Sequence, residues 1–211
     1  MDSTLAFTGK ADWATNNSRC KLDDQILIKN TLQGDKTAFK ELVRKYESQV
    51  AATVIGMLGA SPEAEDVGQE TFIRFYRSLD KFRGDSALGT YLTRIAINLC
   101  INELRKRKRT RKYFSNSEHY PIENLPDKHN PGLQREASEL VYWGLNQVPV
   151  KYRAVIVLRL IDGYTTEETA RILELPLGTV LSRLARGQQK LREILKPLYG
   201  ENKNGIGEKH G

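Results

Sequence analysis

The stretch that decides the fold is TTEETARILELPLGTVLSRLARGQQKLREILKPL, residues 165–198. Thr165 followed three positions later by Glu168 is a capping box, which predicts that a helix begins here. The side of this helix predicted to be buried consists of Thr169, Ala170, Leu173 and Leu175. Pro176 interrupts the pattern, and a second helix is predicted to start at Gly178-Thr179-Val180. The sequence therefore predicts two helices joined by a short turn.

The second predicted helix has an apolar side and a basic side. Its apolar stripe, at helical spacing, consists of Val180, Leu184, Leu191 and Leu195. Arg183, Arg186 and Lys190 project from another side. A short helix backing one that carries arginines is the geometry that places a recognition helix in the DNA major groove. The alternative is a helical hairpin with a solvated basic surface, but the small Ala170 and the tight turn before Pro176 favour DNA binding.

Composition favours a polyanionic partner and gives no sign of a metal site. The 211 residues suggest one domain or two small ones, and 33 Lys and Arg against 26 Asp and Glu give a net charge of +7. Cys20 and Cys100 stand far apart, so neither a disulfide framework nor a zinc site is indicated. The three histidines have no ligand spacing, and no cofactor is expected. Without a signal peptide or an apolar run of membrane-spanning length, the chain is predicted to be soluble and cytoplasmic, with no direct membrane insertion.

Helical periodicity recurs along the chain and strand signals are almost absent, which predicts an all-α fold. Between residues 113 and 132 the composition changes to three prolines with several Asn and Ser and no periodicity, which is typical of a linker. We therefore predict two small helical domains joined by a flexible linker that reaches on the order of 25 Å. The predicted segments are a disordered tail (1–20), a first domain (21–112), a linker (113–136), a second domain with the helix-turn-helix (137–199) and a disordered tail (200–211).

The helix predicted from Thr90 to about Arg111 combines an amide-bearing face with a basic end. Arg94, Asn98 and Arg105 lie away from the apolar side of this helix. Seven of the eight residues from 105 to 112 are basic. An asparagine offers a donor and an acceptor together, which suits a base edge. The alternative is that the cations only oppose the helix dipole or form a solvated face.

Two aromatic residues flank a loop of small residues just before that helix. Phe82 and Tyr91 lie on either side of Gly84-Asp85-Ser86, an arrangement that suits stacking of unpaired bases. The alternative is that both rings belong to the core, and we expect Tyr91 to be at least partly buried.

The segment from Glu65 to Arg77 is predicted to present a protein-docking face. Its apolar residues Val67, Phe72, Phe75 and Leu79 cannot share one narrow stripe. Some apolar surface should therefore remain exposed beside the polar residues, as at protein interfaces. The alternative is an ordinary amphipathic helix.

Taken together, these blocks resemble the extracytoplasmic function sigma factors of bacterial RNA polymerase. The resemblance covers roughly residues 22–112 and 137–198. It rests on the order of four blocks: GDKTAFKELVRKY (34–46), EDVGQETFIRFYRSLDKFRGDSA (65–87), TYLTRIAINL (90–99) and GYTTEETARILELPLGTVLSRLARGQQKLRE (163–193).

The resemblance implies a role for each domain and no catalysis by the chain itself. Contact with core polymerase, at the coiled coil of its largest subunit and at the flap, is expected at Asp66, Gln69, Glu70, Phe72 and Arg74. Recognition and melting of the minus-10 element are expected at Phe82, Arg83, Asp85, Ser86, Tyr91, Arg94, Asn98, Asn102 and Arg105. Recognition of the minus-35 element is expected at Thr165, Thr179, Ser182, Arg183, Arg186 and Lys190. An anti-sigma factor is expected as a further partner.

Several residues depart from the pattern of that family. Glu174 stands where a glycine is common in the turn, and a left-handed backbone there would cost about 1 kcal/mol. Leu181 stands where a basic residue is usual, and Tyr91 where tryptophan is usual. Two other classes stay open on the residues alone: a free-standing helix-turn-helix regulator, and an enzyme acting on nucleic acid, for which no catalytic motif is present.

Overall fold

The computed structural model describes residues 23–114 and 133–200, and within them the chain is helical without a strand. The first range, here called the first unit, contains α1 (23–32), α2 (Lys36–Leu58), α3 (Pro62–Arg77), a 3-10 turn (Leu79–Lys81) and α4 (Leu88–Phe114). The second range, the second unit, contains α5 (Leu133–Gln147), α6 (Val150–Ile156), a π-helical turn (Val157–Ile161), α7 (Thr166–Leu173) and α8 (Leu177–Gly200). The all-α prediction is confirmed.

Side-chain caps set the boundaries of the helices in the first unit. The Asp35 carboxylate accepts hydrogen bonds from the backbone N–H of Thr37 at 2.8 Å and of Ala38 at 3.2 Å, which starts α2. Ser61 caps α3 in the same way, and Pro62 follows at the first helical position, where its missing N–H costs nothing. In the sequence, Gln33-Gly34-Asp35 interrupts the apolar pattern and Ser61-Pro62 is typical of a helix start, and the structure has helix boundaries at both places.

Helices α2, α3 and α4 enclose the core of the first unit. Leu42, Phe75, Leu92 and Ile97 are at most 1% exposed, and each such side chain contributes about 1.5–3 kcal/mol through burial. Helix α1 is fixed to α2 by Asp24, whose carboxylate accepts from the Tyr46 hydroxyl and the Lys45 ammonium, both at 2.5 Å.

The second unit packs α5 and α6 against α8. Leu145, Val148, Tyr152 and Ile156 form a cluster that Leu184, Leu191 and Ile194 of α8 cover. In α7, Thr169 and Ile172 are buried, while Ala170, Leu173 and Leu175 are half-buried. The predicted side of α7 is therefore the one that faces the core, and its most buried apolar residue is Ile172.

The two units are packed against each other, which the prediction of domains joined only by a linker did not include. Five residues of the second unit belong to the same continuous core as the first unit: Ala154, Val157, Leu158, Tyr164 and Ile172. Helix α2 contacts α5, α6 and the π-helical turn, and α4 contacts α6 and α7. The predicted linker and tails lie largely outside the described residues, although α4 extends to Phe114 and α5 begins at Leu133.

The π-helical turn determines how the second unit meets the first. The backbone N–H of Asp162 donates to the carbonyl of Val157 at 2.9 Å, five residues back instead of four. This turn carries the buried Val157 and Leu158 to α2 and ends at Asp162, beside Thr53.

Candidate nucleic-acid and polymerase interfaces

Helix α4 has a fully polar exposed face. Arg94, Asn98, Asn102 and Arg105 are all exposed, spaced by four, four and three residues, while Ala96 on the other side is completely buried. Beyond this face, a surface cavity of about 510 Å³ is lined by Asn102, Arg105, Lys108 and Arg109. The exposure predicted for this face is confirmed, and its amides and guanidinium groups can donate to bases and phosphates.

The basic tract at the end of α4 is partly neutralised by carboxylates. The Arg107 guanidinium lies 3.1 Å from the Glu63 carboxylate and 3.4 Å from that of Glu103, and Lys106 lies 3.9 Å from Glu103. Hydrogen bonds with its own backbone and with Ser61, followed by the charge of Arg107, hold the pKa of Glu63 below its ordinary value. Arg107 therefore joins α3 to α4, and only part of the tract is directed to a polyanion.

The loop of residues 82–87 projects from the first unit, and two aromatic rings pack at its base. Phe82 and Tyr91 are half-buried, with ring centroids 5.0 Å apart, and both pack on the buried Phe75. The Tyr91 hydroxyl lies 3.1 Å from Ser78 Oγ, which joins the end of α3 to α4. The expectation that Tyr91 is partly core is confirmed. The two rings support the loop and expose only part of their surface for stacking.

Polar residues of this loop are accessible at its tip. Arg83 and Asp85 are exposed and Ser86 is half-buried. Gly84 has a φ of 74°, a left-handed conformation that favours glycine.

The helix-turn-helix forms as predicted from its capping box. The Thr165 hydroxyl accepts from the Glu168 N–H at 3.2 Å, and the Glu168 carboxylate accepts from the Thr165 N–H at 2.8 Å. At the end of α7, Glu174 adopts φ 54° and ψ 48°, the left-handed conformation considered for this turn. Because Thr165 is engaged in the cap, its first role is structural.

Helix α8 presents the residues expected at DNA in two groups. Ser182, Arg186 and Lys190 are exposed, whereas Thr179 and Arg183 are half-buried. The completely buried Val180 anchors the start of the helix.

Arg186 of α8 lies close enough to the Tyr152 phenol of α6 to lower the pKa of that group. This contact was not predicted, because nothing in the pattern of α8 indicates a partner on another helix.

Helix α3 exposes most of the expected polymerase-binding residues together with an apolar pair that the prediction did not include. Asp66, Gln69 and Arg74 are exposed, while Glu70 and Phe72 are half-buried. The Arg74 guanidinium donates to the Glu70 carboxylate one turn back at 2.8 Å.

The apolar pair consists of Ile73 and Tyr76, which are 44% and 53% exposed. The expectation that some apolar surface of this helix stays exposed is therefore confirmed, but it is supplied by residues other than the four from which it was argued. Val67, Phe75 and Leu79 are buried. The helical phase measured from the buried Thr71 and Phe75 would have indicated Ile73 and Tyr76.

The burial of three titratable side chains was not predicted from the sequence: Arg153 and Cys100 are buried, and Asp162 is half-buried. Burial lowers the pKa of Arg153 to about 10 and raises that of the Cys100 thiol to about 12. Burial also raises the pKa of Asp162 to about 6, against the opposing effect of its hydrogen bond from Thr53. A thiolate at Cys100 is strongly disfavoured, so this cysteine is not a reactive nucleophile.

Within the described ranges, no cluster of His, Cys, Asp and Glu could hold a metal ion. None of the helices in these ranges is both long and apolar enough to cross a membrane.

Family models match both units. Residues 42–110 match the model of sigma-70 region 2, and residues 144–191 match that of sigma-70 region 4. The RNA polymerase sigma-H factor of Pseudomonas aeruginosa is 34% identical over 188 residues, which cover 84% of this chain and 96% of that protein. The ECF RNA polymerase sigma-E factor of Escherichia coli (strain K12) is 37% identical over 187 residues, covering 84% and 97%.

Two solved structures share the fold over most of the chain. The sigma factor RpoE from Bartonella quintana, in complex with the anti-sigma factor NepR, superposes with a TM-score of 0.61 at 25% identity, covering 75% of this chain and 96% of that one. CnrH in complex with the cytosolic domain of CnrY gives a TM-score of 0.59 at 27% identity, covering 83% and 98%. This chain therefore belongs to the sigma-70 superfamily of RNA polymerase sigma factors, in its extracytoplasmic function group.

Proposed function

We propose that this chain binds core RNA polymerase and directs it to promoters, with the first unit at the minus-10 element and the helix-turn-helix at the minus-35 element. One observation carries the proposal. A continuous polar face of α4 and the loop before it project from the first unit, and a separate basic helix projects from the second. Two DNA-contacting surfaces on one chain suit a bipartite promoter.

Polymerase binding is assigned to α3 and involves the coiled coil of the largest subunit, with the flap as a further contact. The exposed carboxylate of Asp66 and amide of Gln69 can form hydrogen bonds that orient the partner. Ile73 and Tyr76 supply apolar surface for burial. Interfaces of this mixed kind are centred on a few apolar or aromatic anchors.

Strand opening is assigned to the loop and to Asn98. Unstacking costs a few kcal/mol per base, and stacking on protein aromatics returns about 1–3 kcal/mol per base. Capture of two or three bases can therefore offset a local opening if phosphates are held as well. Arg94 and Arg105 lie beside Asn98 on the same face and can hold them. The chain performs no covalent chemistry in this scheme, and RNA synthesis belongs to the polymerase.

An anti-sigma factor is the proposed regulator. Both solved relatives described above are complexes, one with an anti-sigma factor and one with the cytosolic domain of CnrY. That likeness supports a partner of the same class here.

The test is run-off transcription with sigma-free bacterial core polymerase and genomic promoter fragments. We expect transcripts only when the chain is present, and a permanganate footprint on the melted strand. Asn98→Ala should weaken the footprint while core binding is retained, and Thr110→Ala, an exposed change on the same helix, should leave both unchanged. DNA binding without polymerase and without initiation would instead indicate a free-standing regulator.

A further inference from the structure

Helix α8 carries three apolar side chains in a row on its exposed surface. Leu177 is 48% exposed, Leu181 is 55% exposed, and Ala185 is also exposed. Because these residues are four positions apart, their side chains lie one above the other along the same side of the helix. Leu177, Leu181 and Ala185 are here called the apolar ridge.

The packing between helices does not account for the apolar ridge. The side of α8 that faces the core is fixed by Val180, which is completely buried, and by Gly187, where a Cβ atom would lie 2.9 Å from Ile156 Cδ1. More than half of Leu181 remains in contact with solvent. Single exposed leucines are common in proteins, but here apolar side chains follow one another over more than two turns. The ridge is therefore a surface in search of a partner outside the fold.

The apolar ridge lies in the part of α8 that is assigned to the major groove. Leu177 is the first residue of α8, and the N-terminal residues of a recognition helix are those that contact base edges. Ser182 and Arg186 lie beside the ridge, and both are exposed. The Ser182 hydroxyl donates to the Thr179 carbonyl at 3.1 Å, so only its acceptor capacity remains for a base. Polar contacts alone therefore leave much of this surface unused.

The charge and the size of this surface favour nucleic acid over a protein partner. Residues 175–192 include no Asp or Glu and contain four cations: Arg183, Arg186, Lys190 and Arg192. The first turn of α8 has no acidic residue to offset the positive end of the helix dipole. A standard protein interface buries about 800 Å² on each partner, far more than two leucines and an alanine supply. A polyanion that presents small apolar groups fits both properties.

Thymine presents such a group in the major groove. Its C5 methyl group is the apolar feature of that groove, whereas the other base edges show hydrogen-bond donors and acceptors. From Leu177 to Ala185 the apolar ridge extends about 12 Å along the helix axis. This length corresponds to about three or four base-pair steps. The ridge can therefore contact more than one thymine.

We propose that the apolar ridge reads thymine methyl groups in the minus-35 element, and that Leu181 at its centre is a specificity-determining residue. This inference rests on the proposed function. Cytosine has no methyl group and presents an N4 amino donor, which would remain unpaired against a leucine. The ridge therefore favours a T·A pair over a C·G pair. The minus-35 element of this chain contains thymines among the three or four base pairs that face the ridge.

Replacement of thymidine by deoxyuridine tests the proposal, because deoxyuridine pairs in the same way and lacks only the C5 methyl group. The chain is assembled with sigma-free core polymerase on a promoter fragment that gives run-off transcripts, and each thymidine of the minus-35 element is replaced in turn. Burial of one methyl group contributes about 0.8 kcal/mol, so each replacement at a contacted position should weaken binding about fourfold. Sensitive positions should be confined to a few neighbouring base pairs.

Variants of Leu181 assign the effect to the apolar ridge. Leu181→Ala should bind the thymidine and deoxyuridine fragments equally at the position that Leu181 contacts. Leu181→Met keeps an apolar side chain of similar size and should retain most of the discrimination. Leu160→Ala is the matched control, because Leu160 is 53% exposed in the second unit but lies outside α8. It should respond to deoxyuridine as the wild type does.

The possible outcomes are distinct. Equal binding of thymidine and deoxyuridine fragments by the wild type at every position would overturn the proposal, as would a minus-35 element without thymine. A methyl effect that persists unchanged in Leu181→Ala would also overturn it. Weaker binding of Leu181→Ala to core polymerase, without any response to deoxyuridine, would show that the ridge contacts protein instead. Absence of transcripts from the wild type on unmodified fragments would refute the proposed function itself.

Discussion

At the scale of single residues, Arg186 illustrates how one side chain can serve both fold and function. Arg186 is exposed on α8, yet its guanidinium lies close enough to the Tyr152 phenol of α6 to lower the pKa of that group. Loss of the arginine would therefore remove a possible base contact and an intramolecular contact together. The two effects can be separated by changing the partner alone.

We expect Arg186→Ala to weaken binding to a minus-35 duplex by about 1–3 kcal/mol if the guanidinium contacts a base edge. Tyr152→Phe removes only the phenol hydroxyl and should weaken binding far less. The measurement is fluorescence anisotropy with matched and mismatched duplexes. An equal loss in both variants would mean that Arg186 acts by supporting the fold.

At the scale of the element, the basic end of α4 separates into two kinds of cation. Arg107 is engaged by Glu63 and Glu103, whereas for Arg105 and Lys108 the described part of the chain offers no carboxylate partner. Only the second kind is expected to release counterions when DNA binds.

Replacing Arg105 and Lys108 with alanine should therefore flatten the plot of log K against log salt by up to roughly 0.9 per lost phosphate contact. Arg107→Ala should leave that slope near the wild-type value and instead lower the melting temperature, because it removes the ion pair between α4 and Glu63 of α3. Titrations of promoter DNA at several salt concentrations, with thermal unfolding in parallel, distinguish the two. Identical slopes for all three proteins would place the tract away from the duplex.

Substitution by alanine should change the free energy of unfolding in opposite directions at two helical glycines, one in α2 and one in α3. Gly56→Ala should destabilise the fold by about 1–3 kcal/mol, because its Cβ would press on Val157. A Cβ at Gly68 of α3 would meet nothing within 4 Å, so Gly68→Ala should stabilise by about 0.5–1 kcal/mol. Denaturant unfolding measures both, and a gain at Gly56 would contradict the close packing of the units.

The same elements show what local sequence can and cannot predict. The capping box of Thr165 was predicted because it depends on neighbours within four residues, and the break at residues 33–35 and the start of α3 at Ser61-Pro62 depend on equally local signals. The π-helical turn was not predicted, since one extra residue per turn leaves almost no trace in an apolar segment such as VLRLI. The exposed face of α4 was also predicted, because helical periodicity sorts its polar residues.

At the scale of the whole molecule, the packing of the two units could not be predicted from the sequence. It depends on pairs such as Gln49 with Tyr164 and Thr53 with Asp162, which lie 115 and 109 residues apart. A polar residue that will be buried by a distant partner cannot be distinguished from an exposed one by periodicity. A composition typical of a linker also does not determine whether the domains that it joins will associate.

The half-buried Asp162 should make the stability of this packing depend on pH. Because burial raises the pKa of its carboxyl from 3.8 to about 6, the packed state binds a proton that the unfolded chain has already lost between these values. Stability is therefore lost as pH rises from about 4 to about 6 and is constant above, by on the order of 3 kcal/mol in total.

The measurement is the free energy of unfolding of wild type and Asp162→Asn between pH 4 and pH 8. Other titrating groups are common to both proteins, so their difference isolates this carboxyl. We expect wild type to lose stability relative to the variant up to pH 6. Parallel curves would show that Asp162 is as well hydrated as in the unfolded chain.

The number of residues in the π-helical turn determines how the residues that follow it are oriented relative to the first unit. Each residue of an α-helix advances the direction of its side chain by about 100°. If one residue were deleted between Ile156 and Asp162, the wide turn could close to ordinary helix, and everything after it would rotate by that angle. Asp162 would then point away from Thr53 although no amino acid at the junction had been exchanged. The loss of a single codon at this turn would therefore change how the second unit packs on the first, without altering any residue to which DNA contact is assigned.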